Sequence, residues 1–235
     1  MKVTDIEVTT HINKPNPNPI RDALQSLPGV GSVNVVIHTD EGIKGYSDTY
    51  FGRGNGAPES LSAIINNELK PLVVGTDVAF VRGTHEKMLK ETEYHGSFGL
   101  TMFGISAIDT ALWDCLGRSK GVPCWQMWGA IHDRIPAYAM VGWLNYNDDE
   151  VQQICAKAVE QGFKGVKIKV GYKTLDEDIK RVKIVRQAIG DEIDLMVDAN
   201  QSLKTAEAIK RGRAFQELGC LWWEEPLPAD DVDSY

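Results

Sequence analysis

The feature that most constrains this chain is a set of nearly continuous apolar runs that carry charged side chains at their ends. Three runs share this pattern: residues 165–170, 193–198 and 221–225. Short apolar runs that alternate with helical patterns predict parallel strands with both faces buried. An unpaired charge on such a strand would be costly, so the charged ends require an explanation. A functional site at the strand ends is the hypothesis that supplies one.

The charged strand ends are regularly spaced. Lys169 precedes Asp198 by 29 residues, and Asp198 precedes Glu224 by 26 residues. Each interval accommodates one strand, one helix and two short loops. Three successive β/α units therefore direct these side chains to the same place.

The order of predicted elements indicates the α/β fold class. Residues 1–130 combine strands and helices as an α+β domain, whereas residues 131–235 alternate strands with helices. Such alternation suits a doubly wound sheet or a β/α barrel. Lys167 and Lys169 face the same side of one strand, and two ammonium groups fit more easily in a barrel mouth than beneath a helix. We expect the first four strands, or first half, of a (β/α) TIM-type barrel, because a complete barrel takes about 250 residues.

Local patterns predict the elements of the first domain. The expected strands are residues 2–10, 32–39 and 42–49. The expected helices are residues 59–69, 78–92 and 104–119. Loops at 13–19 and 52–56, rich in proline and glycine respectively, are candidate lids.

In the second domain a further strand is expected at residues 135–141, and a helix follows it at 148–162. Thr174 and Glu177 form a capping box at the start of the next helix, which ends near Gly190. The last helix ends at Gly219, and its predicted apolar positions are Ala206, Ile209, Phe215 and Leu218.

Composition excludes several classes of function. A formal net charge of −8 argues against nucleic acid or an anionic membrane as partner, since both reward a basic patch. No uncharged stretch is long enough to span a membrane, and residues 1–8 lack a signal peptide's apolar core, so a cytoplasmic protein is expected. The four cysteines fit neither a metal motif nor a disulfide framework. Charge places no limit on a small-molecule substrate.

The residue types at the strand ends suit metal-assisted proton abstraction. Asp198 and Glu224 offer the oxygen ligands that Mg²⁺ prefers, and neighbouring strands about 4.8 Å apart let both carboxylates reach one ion. Asn200 can add a polar substrate contact. A charged Lys167 about 4 Å away would lower the pKa of Lys169 by up to about 3 units, which makes Lys169 a competent base. Removal of the proton α to a carboxylate then gives an enediolate.

Motifs at these positions resemble the mandelate racemase branch of the enolase superfamily, in the mandelate racemase / muconate lactonizing enzyme family. The motifs are Lys167-Ile-Lys169, Asp198-Ala-Asn200-Gln-Ser and Trp223-Glu224-Glu225-Pro226. Residues 107–114 and 121–123 are similar to that family's domain-junction helix. The resemblance covers essentially the whole chain. It implies a capping domain that closes over a barrel, Lys169 as base, Lys167 as its modulator, and Asp198 and Glu224 as ligands of Mg²⁺.

The resemblance implies an enzyme that is a lyase or an isomerase. Residues 224–231 further resemble the acid-sugar dehydratases of this branch, so dehydration of a hydroxylated (sugar) acid is the expected reaction. Racemisation, epimerisation or cycloisomerisation shares the enediolate step and is the alternative. The rivals from other classes are a Schiff-base aldolase that uses a barrel lysine and a non-catalytic half-barrel that only associates with a partner.

Part of the family's pattern is missing from these residues. The third metal carboxylate and the opposing His or Lys base lie on later strands of that family, and all five histidines here fall at or before His132. The sequence therefore predicts a piece of a longer protein that is inactive alone. An exposed strand edge after Glu224 predicts a homo-oligomer.

Three further residues complete the candidate site. Glu225 is expected to support the metal ligands or to be solvated. His11 and Tyr50 lie beside the candidate lids and are candidates for substrate binding, with an ordinary surface or packing role as the alternative. Substrate identity is expected to depend on those loops and on strands outside this sequence.

Overall fold

The computed structural model describes residues 1–52, 54, 56–96 and 98–235 of the chain. Arg53 and Asn55, in the candidate lid at 52–56, lie outside the described residues. The chain groups into two compact units. The first comprises Met1–Pro17 and Pro28–Asp133, and the second comprises Asn18–Leu27 and Arg134–Tyr235. Asn18–Leu27 thus belongs to the second unit, so the expected single boundary at residue 130 does not separate the two units completely.

Strands and helices are distributed differently in the two units. The strands are β1 (Val3–Ile12), β2 (Ile20–Arg21), β3 (Ser26–Leu27), β4 (Gly31–Thr39), β5 (Lys44–Phe51), β6 (Ala139–Met140), β7 (Gly165–Lys169), β8 (Asp194–Asp198) and β9 (Cys220–Glu224). The α-helices are α1 (Ala57–Ile64), α2 (Lys70–Val73), α3 (Val81–Thr92), α4 (Leu100–Lys120), α5 (Cys124–Met127), α6 (Asp148–Glu160), α7 (Leu175–Ile189) and α8 (Thr205–Glu217). None of these described helices combines the length and apolar character that crossing a membrane requires.

The first unit is built on a three-stranded antiparallel sheet in the order β1-β4-β5. Val33, Val35 and Ile37 of the central strand are fully buried, and the residues between them are half-buried. This period of two is what a strand with one core face requires. Pairing places Val35 opposite Val8 on one side and Ser47 on the other. The three strands predicted for this part of the chain are confirmed.

Helix α4 packs directly against β5. Tyr46 N donates a hydrogen bond to Asp114 Oδ2 at 2.9 Å. Gly45 makes the close approach possible, because a Cβ at this position would lie 2.0 Å from Ala111 O and 2.6 Å from Cys115 Cβ. The strand and the helix therefore meet backbone to backbone.

The helix predicted at 59–69 is longer than expected and changes its pitch. Helix α1 continues through a π-helical segment, Ile65–Leu69, into α2. Pro71 has no N–H to donate to the preceding turn, and a wider turn before it accommodates this loss. Leu61, Ile65 and Leu69 are fully buried, so the core face is continuous across the change.

The second unit contains a parallel four-stranded sheet in the order β6-β7-β8-β9. Val166, Ile168 and Val197 join apolar residues of α6, α7 and α8 in one core cluster. Side chains alternate along a strand, so Lys167 and Lys169 lie on the face opposite this cluster. A doubly wound sheet has helices on both faces, whereas these three helices cover one face, as in a β/α barrel. The predicted fold class is confirmed.

Capping boxes begin two of the connecting helices. The predicted box of Thr174 and Glu177 is present, with Thr174 N donating to Glu177 Oε2 at 2.9 Å. Asn147 and Glu150 form a second box at the start of α6, with Glu150 N donating to Asn147 Oδ1 at 2.9 Å. Both satisfy backbone donors that the first turn of a helix leaves free.

Two strand predictions need correction. The strand expected at 135–141 is reduced to Ala139–Met140, and Pro136 before it cannot donate a ladder hydrogen bond. The run at 221–225 is not buried on both faces, since Leu221 is 57% and Trp222 39% exposed. Within the described residues β9 has a strand neighbour on one side only.

The buried face of α8 also differs from the predicted one. Ala206 and Ile209 are exposed, Ile209 at 54%, and Ala208 and Arg211 are buried instead. The predicted burial of Phe215 is confirmed, and Leu218 packs against the core cluster. Arg211 Nη1 donates to Asp178 Oδ2, and this ion pair turns the helix toward α7. Burial raises the pKa of Asp178 above its usual value, although Arg211 and the backbone N–H donors favour the charged form and oppose this shift.

The contact between β5 and α4 leads to a stability prediction. Gly45→Ala forces a methyl group onto backbone atoms of α4 and is expected to destabilise the protein by about 1–3 kcal/mol. Gly83→Ala is the matched control, because Gly83 is exposed within α3 and has no atom closer than 4.0 Å to a built Cβ. That change should stabilise by up to about 1 kcal/mol. Urea unfolding monitored by circular dichroism gives both values, and equal effects would contradict the backbone contact.

Candidate active site

Four charged side chains meet at the carboxyl ends of β7, β8 and β9. Lys169 is the register partner of Asp198, and Asp198 is the register partner of Glu224. Lys169 Nζ donates to Asp198 Oδ2 at 2.7 Å. Lys167 Nζ donates to Glu224 Oε1 at 2.5 Å and lies 3.5 Å from Asp198 Oδ2. The structure thus brings together four of the residues that the sequence selected.

The opposite charges of these four side chains compensate each other at a site where three of the side chains are almost inaccessible to solvent. The side chains of Lys167, Lys169 and Asp198 are 8%, 6% and 2% exposed, whereas Glu224 is 35% exposed. Burial lowers the pKa of Lys167, but the hydrogen bond to Glu224 and the charges of Glu224 and Asp198 outweigh it and raise the pKa. Lys167 is therefore held as an ammonium ion.

Aromatic rings lie next to both ammonium groups. Lys167 Nζ is 5.8 Å from the centre of the Tyr138 ring, and Lys169 Nζ is 5.0 Å from the centre of the Trp143 ring. Both distances fall within the range of cation–π attraction. The sequence interpretation missed these residues. Trp143 follows the first predicted barrel strand, a position that could have identified it, whereas nothing in the sequence distinguishes Tyr138 from a surface aromatic.

Asn200 lies just beyond β8 and fixes the orientation of Asp198. Its backbone N–H donates to Asp198 Oδ1 at 2.8 Å, and its φ is 46°. Asparagine tolerates this left-handed conformation better than most residues. In the described part of the chain, the buried Asn200 Oδ1 has no hydrogen-bond partner. That oxygen is therefore available to a bound ligand.

The chain beyond Glu224 is tied to the chain beyond Asp198. Gln201 N donates to Glu225 O at 2.7 Å, and Gln201 Nε2 donates to Glu225 Oε1 at 2.9 Å. Gln201 and Glu225 have φ angles of 63° and 44°. Such conformations persist only where the surroundings enforce them. Glu225 thus contacts a neighbouring loop, and these contacts set the course of both chains that leave the site.

His11 and Tyr50 lie in the first unit. Both are register neighbours of Ser32, His11 on β1 and Tyr50 on β5. Residues in one row of an antiparallel sheet project from the same face. Both side chains are exposed, Tyr50 at 63%. The structure therefore brings these two residues near each other, and their role in substrate binding stays a prediction.

Asp198 and Glu224 are the residues suited to hold a divalent cation at these strand ends. Mg²⁺ prefers carboxylate oxygens and is commonly held by one or two carboxylates, with water and substrate completing its coordination. No cluster of three or more His, Cys, Asp or Glu side chains with metal-binding geometry occurs within the described ranges. The unpartnered Asn200 Oδ1 beside Asp198 also suits a cationic or hydrogen-bonding ligand. The donor set fits Mg²⁺ in kind.

Similarity to known proteins covers both units. Residues 5–129 match the model of the mandelate racemase / muconate lactonizing enzyme N-terminal domain, and residues 150–235 match the enolase C-terminal domain-like model. The chain is 33% identical over 223 residues to arabinonate dehydratase from Saccharolobus solfataricus. That match covers 92% of this chain and 59% of the dehydratase.

Two solved structures have the same fold over nearly the whole chain. L-talarate/galactarate dehydratase from Salmonella typhimurium LT2, liganded with Mg and L-lyxarohydroxamate, is 30% identical with a TM-score of 0.90, over 99% of this chain and 60% of that one. A racemase from Streptomyces coelicolor A3(2) with bound magnesium is 27% identical with a TM-score of 0.91, over 99% of this chain and 64% of that one. The chain thus spans less than two thirds of each relative. By these matches it belongs to the mandelate racemase / muconate lactonizing enzyme family of the enolase superfamily.

Proposed function

We propose that this chain contributes the general base and two ligands of Mg²⁺ to an enzyme that removes the proton α to a carboxylate and dehydrates a hydroxylated sugar acid. The observation that carries the proposal is the row of Lys169, Asp198 and Glu224 at three adjacent strand ends. The two dehydratases among the relatives support the choice of reaction. Because the chain spans 59% of one and 60% of the other, the activity is proposed for the whole gene product.

Lys169 Nζ is the proposed proton acceptor. Both lysine nitrogens lie within 3.5 Å of the same oxygen, Asp198 Oδ2. Lys167 keeps its proton because Glu224 and Asp198 raise its pKa. The amine of Lys169 is the group proposed to take the α-proton, and a positioned base contributes about 10²- to 10⁴-fold to the rate.

Asp198 and Glu224 are the proposed metal ligands. Mg²⁺ bound there would stabilise the negative charge that develops on the substrate carboxylate as the proton leaves. Asn200 would offer its Oδ1 as an acceptor for a substrate hydroxyl. His11 and Tyr50, exposed in one row of the first unit, are retained as proposed substrate contacts.

Racemisation, epimerisation or cycloisomerisation is the second candidate reaction. The similarity to a racemase, with a TM-score of 0.91, favours it. The two candidates share proton removal by Lys169 and differ in the next step, which is loss of water in one case and return of a proton or ring closure in the other. A metal-free Schiff-base aldolase is less well supported, because its lysine would not require the carboxylate of Asp198 at 2.7 Å.

The role of Lys169 is tested by replacing it with alanine in the native gene product. Lys169→Ala should lower kcat by at least about a hundredfold, because the proton acceptor is lost. Mg²⁺ affinity, measured by calorimetry, should stay nearly unchanged. Lys183→Ala, an exposed position on α7, is the control and should retain wild-type turnover. Retained turnover in Lys169→Ala would refute the assignment.

The proposed metal site is tested with two substitutions at opposite ends of β8. Asp198→Asn should weaken Mg²⁺ binding by at least about tenfold, because one anionic ligand is lost. Asp194→Asn, at the opposite and exposed end of β8, removes the same charge and should leave the affinity unchanged. Calorimetric titration of both variants measures the difference. Equal affinities would remove Asp198 from the ligand set.

Incubation in deuterated water distinguishes the two candidate reactions. A dehydratase should convert a hydroxylated sugar acid to a keto acid, detected by its reaction with semicarbazide. A racemase or epimerase should instead return substrate that carries deuterium at the α-carbon, detected by proton NMR, with no keto product. The second result would replace dehydration as the proposed reaction while leaving the roles of Lys169 and Asp198 in place.

A further inference from the structure

Arg181 on α7 is a buried cation that the proposed mechanism does not use. The residue is 2% exposed. A guanidinium group has five N–H donors, and the structure records five hydrogen bonds from Arg181, all to neutral acceptors. Four of the acceptors are backbone carbonyls and the fifth is the hydroxyl of Tyr172. Burying a cation among neutral groups costs free energy. The chain segments that Arg181 connects can account for its presence.

The acceptors belong to the chain segments that border the charged cluster, which consists of Lys167, Lys169, Asp198 and Glu224. Arg181 Nε donates to Lys169 O at 3.1 Å, at the end of β7. Arg181 Nη2 donates to Trp143 O at 2.7 Å and to Gly142 O at 2.9 Å, in the loop between β6 and α6. One rigid, planar group therefore joins the main chain of Lys169 to the main chain of Trp143.

These two residues also meet through their side chains. Lys169 Nζ lies 5.0 Å from the centre of the Trp143 ring. Arg181 thus fixes the backbone at both ends of the Lys169–Trp143 contact. An apolar side chain in its place would leave four carbonyls without these donors. The loop would stay joined to β7 by the backbone hydrogen bonds of Lys169 N to Gly142 O and Val141 N to Lys167 O, but Trp143 O would lose the bond from Arg181.

Arg186, five residues further along α7, provides an internal comparison. It donates to Gly190 O, Ile193 O and Gly219 O, at 3.0, 2.6 and 3.1 Å. Ile193 and Gly219 immediately precede β8 and β9, so these bonds lie at the end of the sheet opposite to the charged cluster. The two arginines of α7 thus donate to backbone carbonyls at opposite ends of the sheet. Arg181 does so at the end that carries the charged cluster, and Arg186 does so at the other end.

We propose that Arg181 is a positioning residue that holds the ring of Trp143 against the amine of Lys169, shielding the amine from water and restricting the directions from which a substrate can approach. The inference rests on the proposed role of Lys169 as the base. Trp143, by the same geometry, forms a wall of the substrate site next to that amine.

A measurement without substrate tests the geometry. The native gene product is treated with formaldehyde and cyanoborohydride, and methylation of each lysine is followed by mass spectrometry, with Lys180 as the reference because its side chain is 66% exposed. Trp143→Ala and Arg181→Met should each raise the methylation rate of Lys169 by at least about fivefold relative to Lys180. Arg186→Met should leave that ratio unchanged.

A double variant tests whether Arg181 acts through Trp143. If it does, Arg181→Met should add no more than about a twofold increase in the Trp143→Ala background. Independent, multiplicative increases would overturn the proposal, and so would an unchanged methylation rate in folded Arg181→Met. Arg181→Lys keeps the positive charge but loses the planar guanidinium group and its five donors. This variant replaces Arg181→Met in the test if the methionine variant does not fold. An unchanged rate in Arg181→Lys would then be the contradicting result.

Turnover separates this inference from the proposed function. Arg181→Met should lower kcat by about tenfold to a hundredfold while KM changes by less than about threefold, because the base is misaligned and not removed. If Lys169 methylation responds as expected but the wild-type protein turns over no hydroxy acid, the positioning role stands and the proposed function fails. If Lys169 proves essential for turnover and the Arg181 variants are methylated like wild type, only the positioning role fails.

Discussion

Mutual compensation of two lysines and two carboxylates is the interaction on which the second unit depends. Lys167 and Lys169 are almost inaccessible to water, and Asp198 even more so, so none of these charges could be kept alone. The compensation also fixes the pairing of the strands. A slip of β8 by one residue would turn Asp198 toward the helices and Val197 toward the lysines. The charged cluster and the apolar core therefore require the same strand register.

Features that depend on local or periodic patterns could be predicted from the sequence. The apolar runs of β7 and β8, the spacing of their charged ends and the capping box at Thr174 all follow from such patterns. Features that depend on distant partners could not. The face that α8 buries is decided by the ion pair between Arg211 and Asp178, which are 33 residues apart. The exposure of Leu221 likewise depends on which strands flank β9, and not on its apolar sequence.

The same division applies to the candidate site. Lys167, Lys169, Asp198 and Glu224 could be selected because charge at the end of an apolar strand is unusual. The contacts around them come from loops whose course the residue types do not reveal. Gln201 and Glu225 adopt left-handed backbone conformations without being glycine, and Trp143 reaches Lys169 through a loop that Arg181 anchors. The contacts that these residues make can be recognised only when the course of the loops is known.

The alternation of side chains along β7 and β8 has a consequence for how such proteins diverge. Residues such as Ile168 and Val197 pack against the helices, while their neighbours face the charged cluster. A mutation that alters the chemistry on one side of the strand therefore leaves the packing on the other side intact. Evolution can adjust selectivity or reaction outcome on this scaffold without first losing foldability. Relatives at about 30% identity with the same architecture can thus include both a dehydratase and a racemase.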